Sequence, residues 1–375
     1  MARNTFEITE IYSYPAYTEV TKEKMISVNK QMNRINQKSR EEAKRGTCYI
    51  CNKACSSFCR SHSIPEFVLR NIAENSEVSE PRQADNLEPK KNTGLKAAGV
   101  FFNICKECDS KYFQDYEDEN ILKSEPSNEM LTAVALKNFL KMNYERSLEI
   151  IEERVYSALM LNPLIVSSEG NSPAEYNLKS ISEELMYALT SLKSGKPDRY
   201  YLYYWKNLDY VVPYAAQYPI AMLQDLQGNV INDFYTGLSS YRLEYLHVAI
   251  FPLKESSVIL IFSKDGEKRH RRFIRQLKRL DDMDQLSVIN FLTFTGSDNV
   301  YINLNTYANL VNNPVFMEAC RLTYSIRSNV PNPSNALAVA KQAHSFEKRY
   351  ALPNLLAPQY ALNKDIFDES IDNQE

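Results

Sequence analysis

Six of the seven cysteines fall between residues 48 and 108, and four of them stand in two Cys-x-x-Cys pairs, Cys48/Cys51 and Cys105/Cys108. No other feature restricts the fold as strongly. A Cys-x-x-Cys turn places two thiolates on one edge of a tight knuckle. Two knuckles complete the tetrahedral sulfur shell that zinc favours. The 53 residues between the pairs exceed the simplest zinc-ribbon spacing, so the gap must carry structure of its own. Cys55 and Cys59 compete for the assignment, because "CYICNKACSSFC" holds four sulfurs by itself. The paired knuckles are preferred: two separated pairs can staple a fold, and the alternative leaves Cys105 and Cys108 unexplained. The metal expected on Cys48, Cys51, Cys105 and Cys108 is a structural zinc, holding together a polar segment with little core of its own.

The rest of the chain bounds the function class. At 375 residues two or three domains are expected. With 44% apolar residues the chain can build a real core, and a net charge of −3 predicts no particular partner. Only nine residues are Gly, which disfavours glycine-rich phosphate loops. "KSGKPD", Lys193 to Asp198, lacks both the upstream glycine and the following hydroxyl residue of a P-loop. No apolar run approaches ~18 residues, so no membrane span is expected. The beginning, "MARNTFEITE", has no signal-peptide core. Thiols kept reduced, and a cytoplasmic location, follow as expectations.

The pattern predicts an α+β chain: a small zinc module, a helical connector and a larger C-terminal α+β domain. Residues 1–45 form a polar arm and residues 46–125 the zinc module. Residues 126–198 are the helical connector, residues 199–363 the C-terminal domain, and residues 364–375 an acidic tail. Within the connector, Leu136, Phe139, Leu140, Tyr144, Leu148, Ile151, Val155 and Leu159 recur at helical spacing. Ser127 or Asn128 caps that helix, and a second helix spans about Ala174 to Lys193. Beyond Arg199 an aromatic, strand-like stretch is followed by two strands joined at Lys254 to Ser256. A basic helix then covers Lys268 to Leu280, and an apolar helix about Gln285 to Phe294. "NVYINLNTYANL" is a short strand and a helix. The clustered tyrosines from Tyr200 to Tyr218 sit at strand spacing, which favours core and edge positions over base stacking.

Between the knuckles lies "CRSHSIPEF", Cys59 to Phe67, with one of only four histidines. The ordered set Cys-x-x-Cys, Ser61-His62-x-x-Pro65, Cys-x-x-Cys-Asp109 resembles the HNH, or ββα-metal, endonucleases built on a treble-clef zinc fold. The resemblance covers about residues 46–120, a fifth of the chain. It implies that His62 is the general base, taking a proton from the water that attacks phosphorus. It also implies that Asp109, opening the next helix, is a ligand of one catalytic Mg or Mn ion that neutralises the phosphate. The chain departs from the pattern at Ser61, where an acid that also holds the metal is usual. Either another carboxylate substitutes, with Glu117, Asp115 and Glu66 as candidates, or the site has lost its metal and its activity. Asn86 is the nearest match to the middle Asn of the signature.

A second basic feature stands apart from the knuckles. "KRHRRFIRQLKRL" sets Arg269, Arg271, Arg272, Arg275, Lys278 and Arg279 opposite an apolar stripe of Phe273, Ile274, Leu277 and Leu280. A phosphate backbone suits such a band; a solvated helix balanced by Asp281, Asp282 and Asp284 is the plainer explanation. His270 contributes local polarity. The leading expectation is a metal-dependent nuclease cleaving phosphodiester bonds, DNA rather than RNA on the resemblance alone, with a bacterial defence or mobile-element role by analogy. The alternatives are a catalytically silent, zinc-containing nucleic-acid-binding protein, and a protein-interaction or signalling scaffold. The C-terminal domain is the expected seat of a homo-oligomer contact or a partner protein.

Overall fold

The cysteine-rich segment folds as hairpins and short helices laid against a five-stranded sheet. This computed structural model describes residues 22–81, 92–159, 173–195, 199–234, 241–328 and 333–362. Asn86 and the acidic tail 364–375 lie outside the described residues. In chain order, α1 (Lys22–Glu42) precedes β1 (Ser61–His62), α2 (Glu66–Arg70), β2 (Glu77–Val78), β3 (Thr93–Gly94) and β4 (Val100–Phe101). Next come α3 (Lys106–Phe113), a 3-10 turn Gln114–Glu117, α4 (Glu119–Leu122), α5 (Asn128–Leu159) and α6 (Pro173–Lys193). The second half holds β5 (Tyr200–Leu208), β6 (Tyr214–Ile220), β7 (Leu246–Pro252), β8 (Ser257–Lys264), α7 (Arg271–Leu277), α8 (Asp282–Gly296) and β9 (Val300–Ile302). It continues with α9 (Leu304–Leu310), α10 (Pro314–Ser328) and α11 (Pro333–Ala343). The chain is therefore α+β, as the pattern predicts.

The sheet runs β5-β8-β7-β6-β9, antiparallel throughout. Strands β7 and β8 are apolar on both faces, which places them between two layers. On one side Leu246, Val248, Ile250, Ile259 and Ile261 pack with Phe273, Ile274 and Leu277 of α7 and with the apolar α8. On the other, Ala249, Phe251, Val258, Leu260 and Phe262 share a core with Leu131, Leu136 and Phe139 of α5, with Leu185 of α6, and with Ile64, Val68, Phe101 and Phe113 of the cysteine-rich segment. Tyr200, Tyr204, Tyr210, Tyr214 and Tyr218 are buried in these cores.

Local signals explain the element boundaries. Ser127 Oγ accepts from Met130 N at 3.2 Å and opens α5. Asp281 accepts from Asp284 N at 2.8 Å and opens α8. The turn between β7 and β8 closes with Leu253 N donating to Ser256 O at 2.8 Å. Strand β4 starts only at Val100, after Gly99 takes a left-handed φ of 66°. A Cβ at Gly99 would lie 2.4 Å from Ser63 Oγ. The polar arm forms α1 and docks on α5 through Ile35 and Ser39, both buried. No helix among the described residues is long and apolar enough to cross a membrane.

Polar joints fix the cysteine-rich segment to the sheet. Ser79 exchanges both backbone hydrogen bonds with Ile302, each 2.8 Å, and so extends the sheet beyond β9. Ser63 Oγ donates to Asn299 Oδ1 at 2.9 Å, and Asn299 Nδ2 donates to Gln217 O at 2.6 Å. Asn303 Nδ2 reaches Ile72 O at 3.1 Å. Inside the first core, Asn138 receives a bond from Gln217 Nε2 at 3.0 Å and gives one to His247 Nδ1 at 3.0 Å. The His247 ring stacks on Phe262 at 4.8 Å. Burial, reinforced by nearby His270, holds His247 down to about 3.

His247 thus stays neutral in the fold, whereas in the unfolded chain it takes a proton below its ordinary value near 6.5. The native pKa is the lower one, so this stability is complete above pH ~6.5 and is lost as pH falls. Between pH 6.5 and 5 the loss is about 2 kcal/mol. Urea unfolding of the protein and of His247→Gln at both pH values measures it: the parent should fall relative to the variant by that amount. Glu149 and Glu267, which burial pushes up to about 8 and about 9, act in the opposite sense but are common to both proteins and cancel.

Candidate metal centre

The first knuckle is a tight reversal. Asn52 takes a left-handed φ of 57°, which Asn tolerates, and lets Asn52 N donate to Cys48 O at 2.9 Å. The second knuckle is the start of α3. Cys105 sits extended at its N-cap, and Asp109 N donates back to Cys105 O at 3.0 Å. Tyr49 N donates to Asn103 O at 2.9 Å and Cys59 N to Ile104 O at 2.9 Å, so the two knuckles are stitched side by side. The ligand sulfurs of Cys48, Cys51, Cys105 and Cys108 all lie within 4.8 Å of one another. Cys51 Sγ and Cys105 Sγ are 3.9 Å apart, against about 3.8 Å for two thiolates 2.3 Å from one tetrahedral ion. The group could hold a metal ion such as zinc.

Backbone polarity prepares this centre for ionised sulfur. Burial alone would raise the Cys48 thiol, but N–H groups at Cys51, Cys105 and Ile50 hold it down to about 7. Cys105 N itself points at Cys48 Sγ at 3.3 Å. Burial pushes Cys105 and Cys108 up, and the neighbouring Cys48 charge adds to it. Four sulfurs this close ionise together only around a cation. Cys55 and Cys59 stand outside the group: Cys55 Sγ faces Lys53 O at 3.4 Å, and Cys59 Sγ faces Asp109 Oδ2 at 3.5 Å.

Next to the sulfurs lies a second polar cluster. Ser61 Oγ donates to Asp109 Oδ1 at 2.6 Å. Lys137 Nζ, on α5, sits 3.2 Å from the same oxygen and 3.1 Å from Glu117 Oε1. The Lys137 side chain is 0% exposed, and its ammonium also lies over the Phe113 ring, 4.0 Å from the centroid. Burial would raise the Asp109 carboxyl, yet Lys137 and then the Ser61 hydroxyl bring it below the ordinary range. Burial and the Asp109 charge push the Cys59 thiol up to about 11, so it donates as a thiol and is no activated nucleophile.

The structure brings Asp109, Glu117, Ser61 and Cys59 together around Lys137. It does not bring His62 into that cluster. Successive residues of a strand face opposite sides. With Ser61 turned to Asp109, the half-buried His62 ring turns the other way and its Nε2 lies 3.1 Å from Leu95 O. Glu66 pairs with Arg70 at 2.9 Å on the exposed face of α2. The Asp115 side chain lies outside the described residues. Lys137 was missed from sequence. Its signal is a charge with Ala133, Val134 and Leu140 three and four residues away, on the face of a helix that has to be buried.

The basic helix divides into two kinds of cation. Arg269 is structural: it donates to Tyr241 OH at 3.0 Å, Asn232 Oδ1 at 3.1 Å and Arg242 O at 2.9 Å. Arg272 is tied at 3.1 Å to Asp225, whose side chain is buried. Arg271, Arg275, Lys278 and Arg279 are exposed and form no ion pair among the described residues. The acids expected to balance them are engaged elsewhere. Asp282 pairs with Lys206 at 2.7 Å, Asp284 lies 3.8 Å from Arg349, and Asp281 caps α8.

Two substitutions test this arrangement. Cys105→Ser should lower bound metal by one equivalent per chain, read by elemental mass spectrometry of the purified protein. Lys137→Met should cost about 3 kcal/mol in urea unfolding, because it strands two carboxylates without a counter-charge. That is the low end for a broken buried pair, since Asp109 and Glu117 keep 19% and 36% of their side-chain surface. No family model, no curated protein and no solved structure matches this chain.

Proposed function

We propose that the protein is a zinc-containing nucleic-acid-binding protein whose HNH-like centre is catalytically silent. The observation that carries this reading is Lys137. Its ammonium occupies the position between Asp109 and Glu117 that a cleavage ion would need. An ammonium neutralises carboxylates but has no open coordination position for a phosphate oxygen or a water. Ser61, in place of the usual acid, serves the same end by donating to Asp109. The sulfur centre then acts as a structural zinc site.

Binding rests on the exposed stripe of Arg271, Arg275, Lys278 and Arg279. Arg271, Arg275 and Lys278 follow one another at spacings of four and three, with Arg279 next to Lys278, on one side of the segment around α7, so they can follow one phosphate backbone. DNA is the nucleic acid proposed, on the HNH-like order of motifs. A metal-dependent nuclease is the second reading, favoured by the convergence of Asp109 and Glu117 on one cation, as ligands of a hard divalent ion would converge.

Gel shift and plasmid nicking separate the two. About four phosphate contacts give a log–log salt slope of roughly −3.6, so affinity should fall about 100-fold between about 50 and 200 mM salt. The double variant Arg271→Glu, Arg275→Glu should lose retention by about tenfold or more. Under magnesium or manganese the protein should leave supercoiled plasmid uncut. Nicking by the protein that disappears in His62→Ala would replace the silent reading with the nuclease. Retention unchanged by salt and by the double variant would remove nucleic acid as the partner and leave a protein scaffold.

A further inference from the structure

At the entrance to α7 lies a second group of ligand side chains. Glu244 precedes β7, while Glu267 and His270 lie in the link from β8 into α7. One ligand atom of each lies within 4.8 Å of the others. His270 is 0% exposed, and neither Nδ1 nor Nε2 has a hydrogen-bond partner among the described residues. Glu267 Oε2 is likewise buried without one. Buried polar atoms in native proteins are almost always partnered by protein, ordered water or an ion. Of these three orphaned atoms two belong to an imidazole flanked by carboxylates, a donor arrangement that a cation would satisfy.

We infer that Glu244, Glu267 and His270 bind a first-row divalent cation, independent of the sulfur centre and of the nucleic-acid reading. One imidazole and two carboxylates are a donor set that zinc and manganese accept. The surrounding charges permit it. Arg269 engages Glu244, its N donating to Oε2 at 2.8 Å and its Nε lying 3.5 Å from Oε1. Lys264 is held by Glu184 at 2.9 Å. Two cations thus face three carboxylates, and Glu267 is the one whose outer oxygen stays unengaged. Glu267 also accepts from the Tyr245 backbone, which fixes its carboxyl toward the gap. A bound ion ties the segment before β7 to the start of α7, and so sets the direction in which the basic stripe projects.

The test is metal stoichiometry of the whole chain, stripped with chelator and reloaded with zinc or cobalt. The expected result is two equivalents per chain: one cobalt with the intense sulfur charge-transfer bands of the knuckles, and one with only weak nitrogen–oxygen bands. Glu267→Gln, a neutral isostere chosen to preserve the fold, and His270→Gln should each retain one equivalent, the sulfur-bound one. Cys105→Ser should retain only the weakly absorbing one. A parent protein that saturates at one equivalent overturns the inference, as does a second equivalent that survives in both Glu267→Gln and His270→Gln. Should either variant fail to fold, the parent's second cobalt band decides by itself, and its absence counts against the site.

Discussion

One ammonium sets the terms for the cysteine-rich half of the molecule. Lys137 Nζ is wholly buried, and its charge is tolerable only because Asp109 from α3 and Glu117 from the following turn close on it. The Phe113 ring closes its remaining side. Burying a charge without such partners costs several kcal/mol. The position of α3 on α5 is therefore fixed by electrostatics as well as by apolar packing. Because α3 also carries Cys105 and Cys108 at its start, the same contact sets the second sulfur knuckle against the first. The sulfur centre and the ion-paired lysine are thus coupled through one short helix, on which Asp109 directly follows Cys108.

The second dependency is the double burial of the sheet. Strands β7 and β8 show apolar side chains to both layers, so neither the cysteine-rich segment nor the helices after β8 can be displaced without exposing Val, Ile and Phe surface. Polar residues at the junction bridge the layers. Ser63, Asn138, Gln217, His247, Asn299 and Asn303 all lie where layers meet, and each makes at least one hydrogen bond across the seam. Such bonds add little net stability each but discriminate strongly against misplaced packing.

Legibility in the sequence tracked the range of the interaction responsible. Knuckle turns, the apolar face of α5, the Lys254 to Ser256 turn and the strand-then-helix at β9 rest on neighbours within a few residues, and all were readable. The α+β class followed from them. What could not be read depends on partners far away along the chain. Lys137 meets Asp109 across 28 residues, and nothing local says that a lysine in an apolar helix will face inward toward carboxylates. The side of β1 on which His62 lies is decided by pairing with β4, because a two-residue strand has no period of its own to read. His270 looks like one more polar residue in a basic run. Only the fold shows that it is buried, unlike Arg271 and Arg272 beside it. Likewise α1, sparse in apolar residues, resembles a free arm until α5 supplies the surface for Ile35.

The paired backbone bonds between Ser79 and Ile302 have a consequence for the fate of the molecule outside its native state. β9 is a short outer strand whose free margin is covered by a residue of the cysteine-rich segment. Were the sulfur knuckles to open and that segment to lift, the margin would present unsatisfied donors and acceptors to any neighbouring chain, and sheets join readily along such margins. Keeping the thiolates clasped therefore guards a distant rim against self-association, so that oxidation or chelation at the cysteines would be felt first as loss of solubility.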